Sequence, residues 1–144
     1  MSAEQNKHSV QRAFDGLFSR GELALADELV SADFLNHEAP AGVPRGPAGL
    51  RQLVTFLRTA FPDIHYEVQE LLAEDDMVAA RTILRGTHQG TFMGIPPTGR
   101  PVVQEQIHIL RFAGGKIVEH RAVRDDLGML QQLGVIPTHA QAAL

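Results

Sequence analysis

Cysteine is absent from this chain of 144 residues. A disulfide framework, a thiol nucleophile and a cysteine-based metal site are therefore excluded, and the composition is compatible with a reducing compartment. The chain also lacks a run of basic residues, and its formal net charge at pH 7 is −4. That charge balance argues against a nucleic-acid partner or an anionic membrane surface.

Long hydrophobic runs are missing as well. Residues 1–11 contain no apolar stretch like that of a signal peptide, and no apolar run approaches the ~18 residues of a membrane span. We therefore expect a soluble, cytoplasmic protein. The content of 44% hydrophobic and 21% charged residues is typical of a single globular domain. We place that domain at residues 1–137 and expect residues 138–144 to form a disordered tail.

Familiar catalytic and metal-binding motifs are not found in the chain. There is no phosphate-binding loop, no dinucleotide fingerprint and no G-x-S-x-G nucleophile elbow. The 7 histidines are scattered, without an H-x-x-x-H or H-x-H pair. Asn36, His37, Glu38 and His120 could converge in space, but their spacing does not demand a metal. We predict no metal and no cofactor.

Hydrophobic periodicity predicts three helices in the N-terminal half. Apolar residues at i, i+4, i+7 and i+8 predict a helix over residues 3–19, and a second, shorter helix continues through Val30. A short strand is expected at residues 33–37. Pro47 suits the first turn of a third helix, which Pro62 ends.

The remaining segments predict strands, so the fold class is α+β. Alternating apolar residues at 64–69 and 77–86 predict two strands, and residues 102–123 predict a β-hairpin about a Gly-Gly turn. Helices that precede strands in this way pack on one face of a curved, mostly antiparallel sheet. A short closing helix follows at residues 127–133.

The loop at residues 88–101 is unusually apolar for a solvated segment. It contains Phe92, Met93 and Ile95 among its glycines and prolines. Large apolar side chains are rarely left in water in such numbers. We therefore expect part of this loop to fold over the core or over a pocket.

The hairpin carries the densest set of functional groups. Gln106 and His108 are two residues apart on the first strand, so their side chains point to the same face. Apolar residues flank them on both faces, which indicates a covered strand. The return strand and its continuation, residues 117–126, are rich in ionisable groups. We hypothesise that the hairpin forms the floor of a pocket and supplies its polar groups.

Three stretches together resemble the SnoaL-like polyketide cyclases, also called ester cyclases, of the NTF2-like superfamily. They are Asp33 to Asn36, Gly94 to Arg100, and Glu105 to Gly134. The resemblance implies an α+β cone with a deep apolar cavity between sheet and helices. It also implies cofactor-independent acid–base chemistry, in which an intramolecular aldol reaction closes a ring of an aromatic or polyketide ester. The partners it implies are a small apolar or aromatic ligand and a second copy of the chain, paired through the outer sheet surface.

The resemblance also implies particular site residues. The family's Asn, Gln and His match Asn36, Gln106 and His108. The acidic residue that moves the proton in the cyclases does not carry over, because an ungapped alignment of the hairpin places it on Ala122. The nearest acid is Asp125, three residues further on.

The register of the hairpin decides which residues face His108. A strict two-residue turn places Arg121 opposite His108. A one-residue bulge instead places Ala122 opposite His108 and Arg124 opposite Gln106. The family correspondence favours the bulged register, and a slip of one residue would turn every side chain to the other face.

Each candidate residue has a structural alternative. His108 could act as acid, base or oxyanion donor, or it could be a core histidine bonded to a glutamine. Asn36 and Gln106 could stabilise a developing oxyanion or satisfy backbone groups. Asp125 could replace the missing acid or cap the closing helix. Arg124 could pair with a neighbouring acid or face an acidic group of a ligand.

We thus predict catalytic roles for His108 and Asp125 and substrate-binding roles for Asn36, Gln106, Arg124 and Met93. The first functional hypothesis is a SnoaL-like cyclase. The second is a related enzyme for water addition, epoxide opening, isomerisation or a hydroxylase-type step, prompted by Ala122. The third is a non-catalytic small-molecule binding protein, because one fold can host unrelated functions.

Overall fold

The computed structural model describes residues 2–138, so the predicted tail, apart from Thr138, lies outside the described residues. Within them, one π-helical segment accompanies four α-helices and five strands. In chain order they are α1 (Ala3–Arg12), the π-helical segment (Ala13–Ser19), α2 (Leu25–Leu29), β1 (Val30–Asn36), α3 (Pro47–Ala60), β2 (His65–Glu74), β3 (Met77–Thr87), β4 (Pro101–Ala113), β5 (Lys116–Arg124) and α4 (Asp126–Gln132). None of the helices in this part of the chain has the length and apolar character needed to cross a membrane.

The first helical stretch changes its winding halfway. A capping box starts α1, in which Ser2 Oγ accepts from the Gln5 N–H at 3.1 Å and Gln5 Oε1 accepts from the Ser2 N–H at 2.9 Å. Such a cap contributes about 1 kcal/mol. The helix predicted over residues 3–19 is confirmed, but its last seven residues are π-helical. π-helical turns are rare and are frequent at functional sites.

The second and third helices follow the predicted pattern with one correction. Val30, predicted to continue the second helix, instead begins β1 with φ −116° and ψ 152°. A β-branched residue favours this extended conformation. Pro47 begins α3 as predicted, after Gly46 with φ +83°. A side chain at Gly46 is excluded because an added Cβ would lie 2.6 Å from the backbone oxygen of Ala32.

The five strands form one open sheet in the order β1-β5-β4-β3-β2. β1 runs parallel to β5, and the other neighbours are antiparallel. The helices pack against one face, which confirms the α+β class. The predicted alternation in β3 is also confirmed, since its inward residues Val78, Ala80, Thr82 and Leu84 are all buried.

The hairpin of β4 and β5 has the bulged register. Ala113 pairs with Lys116 across a two-residue turn, but the register shifts by one residue between the Arg111 and Phe112 pairs. The extra residue therefore lies inside β5 and not in the turn. From that point Ala122 is opposite His108, as the family correspondence predicted.

β4 is a central strand with two different faces. Its inner residues, including Gln104, Gln106 and His108, are buried. Its outer face is open in the single chain, where Val103 is 43% and Ile107 is 53% exposed. The prediction that this strand is not a solvated edge is confirmed, because β4 is the central strand and its inner face is buried. Cover on the outer face was also expected, and in the single chain that expectation is wrong.

The loop between β3 and β4 folds back over the core, as predicted. The Phe92 ring lies 5.1 Å from the ring of Phe61 and 6.2 Å from that of Phe56. Ile95 packs against the core cluster. Met93, with φ +50°, contributes to the wall of the internal cavity.

Candidate active site

A cavity of about 210 Å³ separates the helices from the inner face of the sheet. Most of its wall is apolar and comes from the π-helical segment, α3, β1 and the Phe92–Met93 turn. Polar side chains reach the wall mainly from β4, β5 and the residues just after β1 and β5. A cavity of this kind, apolar with a few convergent polar groups, is the usual form of a small-molecule site.

Aromatic rings form one side of the cavity beside His108. The ring of Phe14 meets His108 edge-on at 4.9 Å and lies 5.3 Å from the ring of Tyr66. Phe18 extends this aromatic wall, 5.5 Å from Tyr66. Two of these rings come from the π-helical segment. The wider winding therefore aims aromatic side chains at the polar groups of the sheet.

The central polar contact of the cavity joins two histidines. His108 Nδ1 and His120 Nε2 are 2.8 Å apart, and the two ring planes are inclined by 27° with centroids 5.1 Å apart. His120 Nδ1 lies 2.8 Å from Asn36 Oδ1, and Asn36 pairs with His120 across the parallel strands β1 and β5. The parallel strand thus brings the asparagine to the histidine pair.

Two glutamines continue the contact in the other direction. His108 Nε2 is 2.8 Å from Gln106 Oε1, and the Gln106 amide donates to Gln104 Oε1 at 2.8 Å. The Gln104 amide donates at 3.2 Å to the backbone oxygen of Asp125 and to Asp126 Oδ1. We call this continuous set the polar row: Asn36, His120, His108, Gln106, Gln104 and Asp126.

Fixed acceptors anchor the polar row at both ends. The Glu38 N–H donates to Asn36 Oδ1 at 3.0 Å, which identifies that oxygen as an acceptor. Because the Asp125 backbone oxygen can only accept, it orients the Gln104 amide, and the Gln104 oxygen in turn orients Gln106. The Gln106 oxygen therefore faces His108.

The contacts of the two imidazoles need more protons than a neutral pair carries. Three contacts join them to each other, to Asn36 Oδ1 and to Gln106 Oε1. Two neutral imidazoles supply only two N–H groups. One N–H lies on His120 Nδ1, because Asn36 Oδ1 accepts there. The single N–H of a neutral His108 can serve either His120 Nε2 or the Gln106 oxygen, and not both. The row can take up one further proton, on the other nitrogen of His108, without moving a heavy atom.

Burial keeps both histidines neutral. It lowers the pKa of His108 from 6.5 to about 3, with further lowering by His120 and Arg124. Burial likewise lowers the pKa of His120 from 6.5 to about 4, assisted by the charge of Arg124. The hydrogen-bond geometry thus has a position for a third ring proton, while desolvation disfavours the positive charge that this proton would bring. This opposition is characteristic of groups that transfer protons transiently.

Charged groups line the cavity beside the polar row. Arg124 lies on the cavity wall, with Nη2 3.7 Å from Glu38 Oε1 and Nε 3.9 Å from Asp126 Oδ1. Burial raises the pKa of the Tyr66 hydroxyl, against the opposing effects of Arg124 and of a hydrogen bond with Gln106. Tyr66 therefore remains a neutral donor beside the cation.

The structure brings most of the predicted site residues together. Asn36, Gln106, His108, Arg124 and Met93 all line the cavity. The Asp125 carboxylate does not line it: its Oδ1 accepts from the Gly128 N–H at 2.9 Å and caps α4. Asp125 therefore makes the helix-capping contact that the sequence analysis gave as the alternative to a catalytic role.

Sequence reasoning missed several groups of the site, namely Tyr66, Gln104, His120 as a partner of His108, and the acids Glu38 and Asp126. Two of them had a usable signal. Gln104 precedes Gln106 by two residues and so shares its face. In the bulged register His120 shares the face of Arg124 by the same rule. The other three depend on long-range packing.

Comparison with known proteins agrees with this architecture. The family of SnoaL-like polyketide cyclases matches residues 8–133. The nogalonic acid methyl ester cyclase of Streptomyces nogalater is 37% identical over 123 residues, which cover 81% of this chain and 89% of that protein.

Two solved structures share both fold and sequence with the chain. Wild-type IdmH from Streptomyces antibioticus, a proposed polyketide cyclase, superimposes with a TM-score of 0.77 at 36% identity, covering 91% of this chain and 99% of IdmH. AclR from Streptomyces galilaeus, a proposed hydroxylase, gives a TM-score of 0.80 at 32% identity, covering 95% of this chain and 85% of AclR. With its apolar cavity and its polar row, this chain belongs to the SnoaL-like polyketide cyclase family.

Proposed function

We propose that this protein catalyses cofactor-independent ring closure of an aromatic polyketide ester by an intramolecular aldol reaction. The observation that carries the proposal is the polar row, in which two hydrogen-bonded imidazoles and two amides lie on the floor of an apolar cavity. The similarity to an ester cyclase at 37% identity supports the same chemistry.

The cavity wall accounts for binding of an aromatic substrate. Phe14, Phe18 and Tyr66 offer ring faces and edges at which a planar substrate can stack. Its oxygen atoms would then meet the amide of Gln106 and the guanidinium of Arg124, both on the wall. Binding by rings on one side and by donors on the other orients the two reacting carbons toward each other.

The polar row accounts for proton transfer and for charge stabilisation. Ring closure passes through an enolate and then an alkoxide, and donors aimed at those oxygens lower the barrier. Gln106 and Arg124 are such donors. His108 exchanges a proton with the substrate oxygen, and its pair with His120 stabilises the imidazolium that forms briefly. Asn36 holds His120 in the required tautomer.

The test is a product assay with nogalonic acid methyl ester, the compound named for the relative above. The purified protein, with chelator and without added cofactor, should convert it to an isomer of unchanged mass. Ring closure by aldol addition neither adds nor removes atoms. His108→Ala should slow turnover by about 100-fold or more, while His8→Ala, an exposed control on α1, should not. Wild-type turnover in His108→Ala would contradict the assignment.

A second candidate function is an addition of oxygen. The likeness to AclR, a proposed hydroxylase, and the alanine at position 122 favour it. Its product would be heavier than the substrate by one water or one oxygen atom. Reactions in ¹⁸O-labelled water and under labelled dioxygen identify the source of that atom. A product of unchanged mass would exclude this candidate.

We also propose that the protein is a homodimer paired through the outer sheet face. Val123 is 79% exposed and pairs with Ile107, which is 53% exposed, so that these two side chains form an apolar patch in the single chain. A second copy of the same face would remove this patch from water. Analytical ultracentrifugation at micromolar concentration should give the dimer mass, and Ile107→Glu should give the monomer. A wild-type monomer would contradict the proposal.

A further inference from the structure

Ala122 leaves β5 without a carboxylate at the position opposite His108. Ala122 lies opposite His108 and, by strand alternation, on the same inner face as His120 and Arg124. A methyl group cannot take a proton from carbon. Both nitrogens of His108 face other members of the polar row, and the proposed function already uses this residue for proton exchange with the substrate oxygen. The proton that leaves the substrate carbon therefore needs another acceptor.

Among residues 2–138, only two acidic side chains line the cavity, Glu38 and Asp126. Asp126 is 63% exposed at the start of α4, and its Oδ1 already accepts from the Gln104 amide at 3.2 Å. The Glu38 side chain is 23% exposed, and Arg124, at 3.7 Å, is its charged partner. Glu38 is thus the more enclosed carboxylate of the two.

The turn that follows β1 brings Glu38 to the inner side of β5. β1 runs parallel to β5 with Asn36 opposite His120, and the His37 N–H still donates to the His120 backbone oxygen at 3.0 Å. β1 ends at Asn36, and the side chain of Glu38, in the following turn, reaches the cavity wall and lies 3.7 Å from Arg124 of β5. The Glu38 N–H, bonded to Asn36 Oδ1 at 3.0 Å, holds this turn against the strand end.

We propose that Glu38 is the catalytic base of the ring closure, supplied by the turn after β1 in place of a carboxylate at position 122. The assignment rests on the proposed aldol function. Glu38 Oε takes the proton from the carbon next to the ester carbonyl, and the electron pair of that C–H bond forms the enolate. The enolate carbon then bonds to the ketone carbon, whose C=O π bond becomes an alkoxide. The alkoxide receives one proton from His108, which regains one from solvent, and Glu38 releases its proton to solvent, so that atoms and charge balance.

The decisive measurement separates proton removal from ring closure. An ester analogue that lacks the ketone acceptor cannot close, but its acidic carbon can still exchange hydrogen with D₂O. Wild-type protein should catalyse this exchange, and Glu38→Gln should lower its rate by about 100-fold or more. Glu70→Gln is the matched control, because it removes a carboxylate paired with Arg81 outside the cavity. That control should keep the wild-type rate.

Returning the carboxylate to β5 provides the converse test. Glu38→Gln combined with Ala122→Asp should regain at least tenfold in exchange rate over Glu38→Gln alone. If the exchange rate does not rise, a carboxylate at position 122 cannot replace Glu38, and the proposed equivalence of positions 38 and 122 is overturned. Thermal melting checks that each variant is folded. If Glu38→Gln does not fold, Glu38→Ala with added formate gives the same test, since a small carboxylate can enter the vacated space.

The outcomes distinguish failure of the Glu38 assignment from failure of the proposed ring-closure function. If wild-type protein closes the ring and Glu38→Gln matches it in kcat, the assignment is overturned and the proposed function stands. If Glu38→Gln raises KM alone, Glu38 merely positions Arg124, and the assignment as base is also overturned. If wild-type protein converts no ester and exchanges no hydrogen, the proposed function fails and the assignment with it.

Discussion

His108 and His120, on adjacent strands, share a hydrogen bond of 2.8 Å between Nδ1 of the first and Nε2 of the second. Each imidazole uses its second nitrogen to contact an oxygen of the polar row. Replacing or protonating one imidazole therefore changes the hydrogen bonding of the other. Substitutions in this pair should affect both the stability of the protein and its proton-transfer chemistry.

We expect the protein to lose stability as the pH falls from 7 to 5. Burial lowers the pKa of His108 to about 3 and that of His120 to about 4, whereas both are near 6.5 in the unfolded chain. The unfolded state then binds protons that the native state does not. The stabilisation is thus complete above pH 6.5 and declines below it. Each histidine contributes a slope of up to about 1.4 kcal/mol per pH unit.

Urea unfolding at pH 5, 6 and 7 measures that slope. The exposed control His8→Gln should keep it, and His120→Gln should flatten it. A free energy of unfolding that stays constant from pH 7 to 5 would contradict a buried neutral pair.

Gln106→Glu should raise the pKa of His108. The substitution places a carboxylate at the position of the Gln106 amide, whose oxygen is 2.8 Å from His108 Nε2. A negative charge at that distance favours the imidazolium. NMR of ¹⁵N-labelled histidine rings should show the pair taking up one proton at a higher pH than in the wild type. Glu105→Gln, on the outer face of the same strand, is the control, and identical titrations would refute the protonation site.

Asp125→Ala should cost stability and leave catalysis nearly intact. Asp125 Oδ1 accepts from the Gly128 N–H at 2.9 Å, and loss of such a cap costs about 1 kcal/mol. Asp125→Ser keeps a capping oxygen and should remain closer to the wild type in thermal melting. If turnover instead falls by about 100-fold in both variants, without a matching loss of folded protein, the catalytic role predicted from the sequence would be supported.

Gly49→Ala should destabilise the protein although alanine is the better helix former. Gly49 lies in α3, where alanine alone would gain about 1 kcal/mol. An added Cβ, however, would lie 1.7 Å from the backbone oxygen of Pro44, so the loop or the helix must move. We expect a net loss of about 1–3 kcal/mol. Thr55→Ala, exposed on the same helix, should be neutral or slightly stabilising, and a stabilising Gly49→Ala would contradict the close approach.

The sequence predicted those parts of the site that depend only on the alternation of side chains along one strand. Gln106 and His108 share a face because a strand repeats every two residues, and this holds wherever the strand lies. Which residues lie opposite Gln106 and His108 depends on the hairpin register, and the family correspondence predicted Arg124 and Ala122 correctly. The turn gave no guide to this register, because it is a tight two-residue turn and the bulge lies beyond it in β5. A bulge inside a strand leaves no clear mark in the local sequence.

The α+β class, the three N-terminal helices and the residues on the inner face of β4 follow from the amino-acid sequence alone. Their spacing requires only a helix or a strand with one buried face. Long-range packing, in contrast, brings Asn36 and Glu38 to β5 through a parallel pairing between distant segments. The cap that Asp125 forms on α4 is a local contact with Gly128, whereas the same packing turns Glu38 toward the cavity. Such contacts depend on how elements far apart in the chain come together, and hydrophobic periodicity does not encode that arrangement.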